Sequence, residues 1–235
     1  MKQQLRKWLP HHWKMQLKLL QRYFDEKKTQ YSYPKNYSPE KIGEHKTEIR
    51  QIIKKGEFHQ NKVHNLKIVG SKINNLVIKP NEVFSFWKLI GKPNKNNGFR
   101  EGRNLIKNNI SSDLGGGICQ FSSIIYFLAL QSGLKILERH PHSIDIYKDH
   151  ERFTPLGSDS TVVYGYKDLQ IQNTFEFPIQ FECDVNESEL RFYIISPHEL
   201  QLKTIHFEYS ENSKGVWVKT FSNGKKLLEN FYIRL

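Results

Sequence analysis

The sequence predicts an α+β fold in which helices pack on an antiparallel sheet. Apolar residues recur at helical spacing in segments before Gly133, and short alternating runs bounded by turn residues follow it. In a chain of 235 residues, 37% hydrophobic and 13% aromatic content is enough for a real core. We expect a basic helical arm over residues 1–34 and a single domain over residues 35–235 that ends in a β-hairpin.

The arm is strongly basic. Residues 1–28 hold eight Lys or Arg against two acidic residues, which is half of the net charge of +12. Residues 11–28 are predicted to form an amphipathic helix past Pro10. Four large apolar residues share one of its faces: Trp13, Leu17, Leu20 and Phe24. Such a face can lie in the interface of an anionic membrane or pack on the protein's own core, and both interpretations remain open.

Two further helices are expected ahead of the sheet. Ser38, Pro39 and Glu40 are typical of a helix start, and the isoleucines that follow predict a helix that stops at Gly56. A second helix is expected over about residues 62–74. Short strands through Val77-Ile78 and Val83–Phe86 follow, and then a polar loop at 92–101 that can border a cleft.

The second half of the chain is predicted to be almost all strand. Asn223-Gly224 between two of the last three strands is a strong signal for a type I′ hairpin turn. The strands before these three are expected at about 134–139, 143–148, 161–165, 168–173, 178–185 and 189–195.

The segment with the most chemical information is the glycine run at 115–117 followed by Cys119. Four apolar residues after it recur at helical spacing, and Gly133 is suited to end that helix: Phe121, Ile124, Ile125 and Leu128. Cys119 therefore falls in the first turn, where unpaired N–H groups and the helix dipole favour a thiolate. The alternative is that Cys119 is a small buried core residue and the glycines a tight turn.

A histidine and a carboxylate follow at a spacing that suits nucleophilic catalysis. Arg139-His140-Pro141-His142-Ser143 comes about one element later, and Asp159 lies seventeen residues beyond His142. Cysteine, imidazole and carboxylate together can generate a thiolate, fix the imidazole tautomer and protonate a leaving group. Asp145 and Asp149 compete with Asp159 as the orienting carboxylate. His140 and His142 can face the same side of a strand, so both are candidate bases.

Several ordered motifs resemble those of the VanW family, named for an accessory protein of vancomycin-resistance gene clusters. The resemblance covers about residues 62–185 and rests on these stretches: Pro80–Phe86, Ile90-Gly91, Gly98-Phe99, 115–123, Glu138–Ser143 and Gly157–Val162. It implies L,D-transpeptidase-like acyl transfer on peptidoglycan stem peptides or a precursor, with the cysteine as nucleophile. The His-Ser pair of the family favours His142 as the base and gives His140 a role in shaping the cleft.

The order of elements around these residues is also similar to that of the transglutaminase and papain-like cysteine fold, an analogy of order and spacing. The candidates for contacting substrate or a developing oxyanion are Gly116, Gly117, Gln120 and Arg139. Cys183 falls on the apolar face of a predicted strand, where we expect a structural thiol. A disulfide between the two cysteines would consume the nucleophile.

Other classes of function are disfavoured by the sequence. The histidines are scattered, so we expect no metal, and no Gly-Lys-Ser/Thr follows the glycines, so we expect no P-loop and no other cofactor. The basic charge is the sole feature that suggests nucleic-acid binding, and no nucleic-acid-binding motif accompanies it. No signal peptide or spanning segment is recognisable, so we expect a cytoplasmic protein or a peripheral one on the cytoplasmic membrane face. A non-catalytic module that binds the cell envelope is the alternative to the enzyme.

Overall fold

The structure is a computed structural model that describes residues 10–106, 109–145 and 154–234. Its helices are α1 (His11–Thr29), α2 (His59–Ile73), α3 (Phe86–Ile90) and α4 (Cys119–Ser132), with a 3₁₀ turn at Lys95–Asn97. Its strands are β1 (Asn36–Tyr37), β2 (His45–Ile52), β3 (Leu76–Ile78), β4 (Val83–Ser85), β5 (Glu101–Ile106), β6 (Asn109–Leu114), β7 (Lys135–Glu138), β8 (Ile144–Asp145), β9 (Gln170–Gln172), β10 (Ile179–Val185), β11 (Glu189–Ser196), β12 (Ile205–Asn212), β13 (Gly215–Ser222) and β14 (Lys225–Arg234).

The strands form four sheets rather than one. The largest has the order β1-β3-β10-β11-β2 and is antiparallel throughout. A second sheet, β12-β13-β14-β8, ends in a parallel pair, because β8 runs alongside β14 with Ile144 opposite Ile233. β4-β9-β7 and the β5-β6 hairpin complete the set. The predicted α+β class is confirmed, with one parallel pair that was not expected.

Helix α4 is the centre of the core. It is buried on nearly every side, and Phe121 lies edge-on to Phe192 of the largest sheet with ring centroids 6.5 Å apart. Gly133 ends the helix in the left-handed conformation with φ of 82°, which costs glycine little. The predicted helix, its start at Cys119 and its end at Gly133 are therefore confirmed. A helix with so little polar surface can hold Cys119 in a fixed position.

Several expected elements are confirmed. Helices α1 and α2 cover the predicted segments at 11–28 and 62–74, with small differences at their ends. The last three strands are present, and Asn223 and Gly224 join β13 to β14 with φ of 48° and 79°, as a type I′ turn requires.

Two expected elements are wrong. Residues 38–56 form no helix, because β2 pairs along its whole length with β11 and directs Thr47, Ile49 and Gln51 inward at a spacing of two. Residues 161–165 form only an isolated bridge between Val163 and Lys167. The predicted strand at 143–148 is seen as β8, and its remainder lies outside the described residues. No helix in the described ranges has the length and apolar character needed to cross a membrane.

Candidate functional site

The glycine run before Cys119 is a tightly packed turn. Gly116 lies so close to Gly102 of β5 that a Cβ on Gly116 would stand 2.1 Å from the Gly102 carbonyl carbon. Gly117 has φ of +91° and rests on the aliphatic chain of Lys62 from α2. Pro93, from the polar loop, contacts Gly115. The turn therefore needs glycine for close approach at Gly116 and for backbone conformation at Gly117.

Helix α2 fixes this turn through a buried amide. Asn65 Nδ2 donates to the carbonyl oxygens of Arg100 and Gly116 at 2.9 and 3.0 Å, and its Oδ1 accepts from Arg100 N at 2.8 Å. Asn65 is fully buried, so these bonds are shielded from water. The start of α4 is consequently held in place from α2 and from the approach to β5.

Residues 160–162 are hydrogen-bonded to the start of α4. Ser122 Oγ donates to the Ser160 carbonyl at 2.6 Å, and Ser160 N donates to Ser123 Oγ at 2.9 Å. The next two residues lie against the thiol, with Thr161 Oγ1 at 3.6 Å and the Val162 carbonyl at 3.8 Å from Cys119 Sγ. The two serines thus do more than complete the first helical turn, because they hold the 160–162 segment beside the thiol.

Asp159 holds His142 through two short contacts. Asp159 Oδ2 accepts from both His142 N and His142 Nδ1, each at 2.7 Å. This arrangement fixes the imidazole by its Nδ1 side and leaves Nε2 to interact with Cys119. His142 lies between β7 and β8 and not on a strand, and its side chain is 30% exposed.

The other oxygen of Asp159 faces two buried donors. Tyr232 Oη donates to Oδ1 at 2.6 Å, and Arg139 Nη2 donates to it at 3.1 Å. Arg139 also binds the Gly157 and Asp159 carbonyls and the amide oxygen of Asn230. Its side chain is only 4% exposed, so Arg139 is buried beside Asp159.

The charges of the site favour an ion pair between thiolate and imidazolium. Burial by itself would raise the pKa of the Cys119 thiol, but hydrogen bonding and charge from His142, with help from Val162 and Thr161, hold that pKa below its ordinary value. Burial opposes a charged His142 as well, yet the hydrogen bonds and charges of Asp159 and Cys119 raise its pKa to about 10. His142 and Arg139 keep the pKa of Asp159 far below its usual range, against the effect of burial.

His140 has a different carboxylate partner from His142. Its Nε2 lies 2.9 Å from Glu138 Oε1, and that carboxylate also binds Arg22 of α1 and the backbone N of Asp168. Burial opposes ionisation of Glu138, but its hydrogen bonds to His140 and Arg22 lower its pKa to about 2. Of the two candidate bases, the structure places His142 with Cys119 and Asp159, and His140 on the side of α1.

The expected oxyanion donors are placed unequally. Gly116 N donates to the Asp113 carbonyl at 3.1 Å, so it is already occupied. The N–H groups of Gly117 and Cys119 donate to no acceptor among the described residues. Gln120 turns its amide nitrogen to the Ile52 carbonyl at 2.9 Å and is buried away from the thiol. The backbone N–H groups of Gly117 and Cys119 therefore remain as candidate oxyanion donors among the described residues.

The competing carboxylates and the second cysteine lie elsewhere. Asp145 is buried on β8 and faces Arg234, 3.8 Å from its Nε, whereas Asp149 lies outside the described residues. Both cysteines are free. Cys183 Sγ donates to the Gly70 carbonyl at 3.3 Å, and burial with nearby Asp184 and Glu182 raises its pKa to about 12. Within the described ranges, no cluster of three or more His, Cys, Asp or Glu side chains could hold a metal ion.

Three residues of the site were missed by the sequence analysis. Thr161 falls inside a motif that was recognised, but it had no assigned role. Tyr232 and Asn230 come from β14, about ninety residues after His142, and nothing in a run of alternating strand residues marks them as partners of Asp159 and Arg139. The pairing of β14 with β8 brings them to the site.

The fold and the site together define an α+β protein with a cysteine at the start of its central helix and a histidine and aspartate beside it. Residues 61–195 match the family described as VanW like protein, and the chain belongs to this family. It is 29% identical over 133 residues to the vancomycin B-type resistance protein VanW of Enterococcus faecalis, a match that covers 57% of this chain and 48% of that protein.

A second relative is the protein YoaR of Bacillus subtilis, described as uncharacterized. It is 33% identical over 121 residues, which cover 52% of this chain and 38% of YoaR. The matches thus span about half or less of the length of these relatives. No solved structure gives a significant match to the chain.

Proposed function

We propose that this chain performs cysteine-dependent acyl transfer, of the L,D-transpeptidase kind, or peptide hydrolysis, with Cys119 as nucleophile. The observation that carries the proposal is the contact of Asp159 with both N and Nδ1 of His142, next to a thiol whose pKa His142 lowers. A lowered thiol pKa and a fixed imidazole are what a cysteine nucleophile requires.

The residues support a two-stage reaction. The Cys119 thiolate attacks the carbonyl carbon of a peptide, and the N–H groups of Gly117 and Cys119, which have no other acceptor among the described residues, bind the developing oxyanion. The C–N bond then breaks as the His142 imidazolium gives its proton to the leaving amine, which produces a thioester. In the second stage neutral His142 takes a proton from an acceptor amine or from water, which attacks the thioester and releases the thiolate.

The substrate proposed is a stem peptide of peptidoglycan or a precursor of it. This rests on the family of the chain and on the name of the Enterococcus faecalis relative, which links that protein to vancomycin resistance. The two side chains at the site that would act directly, Cys119 and His142, do not themselves select a peptide. Substrate choice therefore needs a direct test.

The first experiment compares the two cysteines of the same molecule. At pH 7, iodoacetamide should modify Cys119 at least about tenfold faster than Cys183, because thiolate rather than thiol reacts and the two pKa values are shifted in opposite directions. Peptide mass spectrometry over a time course measures both rates in one sample. Equal and slow modification of both residues would contradict the proposal and indicate that Cys119 is a structural residue of the core.

The second experiment tests the reaction. Purified protein is incubated with peptidoglycan stem peptides and an amine acceptor, and products are separated by mass. We expect exchange or hydrolysis that Cys119→Ala abolishes, with the thermal unfolding midpoint of the variant unchanged within a few degrees. Cys183→Ser is the matched control and should keep full activity. Turnover by Cys119→Ala equal to that of the unaltered protein would exclude the cysteine mechanism.

A non-catalytic module that binds the cell envelope is the second candidate. The observation that favours it is the close cover of Cys119 Sγ by Thr161 and Val162, which leaves the thiol only partly exposed. In that case Cys119→Ser would preserve binding to peptidoglycan and any cellular effect of the protein. Loss of the effect in Cys119→Ser, with binding retained, would favour the enzyme.

A further inference from the structure

Helix α1 carries an apolar face that no described part of the chain covers. The sequence left open whether this face packs on the core, and within the described ranges the face is exposed. Exposed fractions of its four residues lie between 42% and 56%: Trp13, Leu17, Leu20 and Phe24. Tyr23 beside them is 50% exposed. Five large side chains together on one short helix are more than the scattered exposed residues of an ordinary surface.

The opposite side of α1 is attached to the body of the protein. Met15 and Leu19 pack against Gly165, and Arg22 Nη1 donates to Glu138 Oε2 at 3.0 Å. Lys88 of α3 pairs with Glu26 at 2.7 Å. Because these contacts occupy the side that carries Met15, Leu19, Arg22 and Glu26, the helix is held with its other, apolar face outward.

The charges around this face are mainly positive. Residues 10–29 hold five Lys or Arg against two acidic residues, and the pairs Arg22–Glu138 and Lys88–Glu26 take one charge of each sign to the opposite side. Lys27 and Lys28 stand in the last turn of the helix. A surface that joins exposed aromatic and aliphatic groups to basic side chains complements the anionic headgroups and acyl boundary of a membrane.

We infer that α1 binds an anionic membrane surface, with Trp13, Leu17, Leu20 and Phe24 inserted at the headgroup boundary and Lys27 and Lys28 against the lipid phosphates. Arg22 connects this helix to Glu138, which lies in the same short segment as His140 and His142. A bound helix would therefore hold the cysteine site at a fixed position relative to the bilayer. The inference does not depend on Cys119 being catalytic.

Vesicle flotation of the full chain tests the inference. At low salt we expect binding to vesicles of phosphatidylglycerol and phosphatidylcholine, and little binding to phosphatidylcholine alone. Leu17→Ser with Leu20→Ser should weaken binding roughly tenfold or more, because apolar area no longer enters the bilayer. Lys27→Gln with Lys28→Gln, or 0.5 M salt, should weaken it by about an order of magnitude or less.

A matched control is available on another part of the surface. Leu202 and Leu227 are 52% and 45% exposed, so Leu202→Ser with Leu227→Ser removes a similar apolar area and should bind as the unaltered protein does. Equal binding to both kinds of vesicle, no binding to either, or no effect of the Leu17 and Leu20 changes would overturn the inference. It would also be overturned if those changes only dissociated a dimer, measured by light scattering, since the face would then contact a second copy.

Discussion

Asp159 binds His142 twice, through the backbone N and through Nδ1, and both contacts are 2.7 Å long. Its other oxygen is held by Tyr232 and Arg139. The carboxylate is therefore the point at which the β14 side of the protein and the histidine segment meet. Changes at Asp159 should alter both the stability of the fold and the reactivity of Cys119.

We predict that Asp159→Asn lowers the free energy of unfolding by about 3 kcal/mol, because Arg139 is left as a buried charge without its counter-ion. The same change should slow alkylation of Cys119 at pH 7, since the imidazolium loses its partner. Urea unfolding and thiol labelling measure the two effects. Asp25→Asn is the control. This carboxylate is exposed and makes a long, 3.9 Å contact with Lys28, so the free energy of unfolding should change by less than about 1 kcal/mol.

The contribution of His142 to stability should depend on pH in a defined direction. Its pKa is raised to about 10 in the fold, so the stabilisation is complete below about 6.5, the pKa of an unfolded histidine, and is lost as pH rises toward 10. The loss of stability caused by His142→Gln should therefore be largest near pH 6 and shrink toward pH 10. Urea unfolding across this range gives the difference at each pH.

A Cys119→Ser background separates the contribution of Cys119 to this pH dependence from that of Asp159. Hydrogen bonding and charge from Cys119 help to raise the pKa of His142. In a Cys119→Ser background the stabilisation should accordingly be lost at lower pH than in the unaltered protein. A difference between His142→Gln and the parent that stays constant from pH 6 to pH 10 would contradict the proposed ion pair.

Tyr232 should matter more than its position near the end of β14 suggests. Tyr232→Phe removes the donor to Asp159 Oδ1 from a fully buried site, and we expect a loss of about 1–3 kcal/mol. Tyr209→Phe is the matched control, because that ring is 50% exposed and its hydroxyl makes a 3.3 Å bond to the Leu156 carbonyl. Similar unfolding midpoints for the two variants would argue against a structural role for the Tyr232 hydroxyl.

The glycine turn gives a further prediction. Gly116→Ala should destabilise the protein by about 1–3 kcal/mol or more and should slow labelling of Cys119, because the new methyl group collides with the backbone of Gly102. Gly56→Ala serves as its control, since a Cβ there meets nothing within 4 Å. Unfolding of both variants at the same urea concentration would contradict the close approach of the glycine turn to β5.

The local features of the site were predictable from the sequence, and its distant partners were not. The start of α4 followed from the spacing of Phe121, Ile124 and Leu128, which depends only on neighbouring residues. The choice between His140 and His142 could not be made from a strand pattern, because both lie in an irregular segment after β7. The two histidines are distinguished by their carboxylate partners: Glu138 binds His140, and Asp159 binds His142.

Long-range pairing explains the errors as well. The isoleucines of residues 38–56 fit a helix when the segment is considered alone. In the structure this segment contains β2, which pairs along its whole length with β11 and turns Ile49 and Gln51 toward the inside of the protein. The amphipathic pattern of α1 was correctly recognised. What it could not reveal was which side faces the body, since that is decided by Arg22 and Glu26 finding Glu138 and Lys88.

The pairing of β14 with β8 has a consequence for the newly made protein. Asn230 and Tyr232 bind the groups that position His142, and Ile233 N donates to the Ser143 carbonyl at 3.0 Å. Cys119 and His142 leave the ribosome before β14 does, because synthesis runs from the N-terminus. During synthesis the thiol therefore emerges without the strand that completes its surroundings, and the lowered pKa of Cys119 should be reached only once β14 has paired with β8.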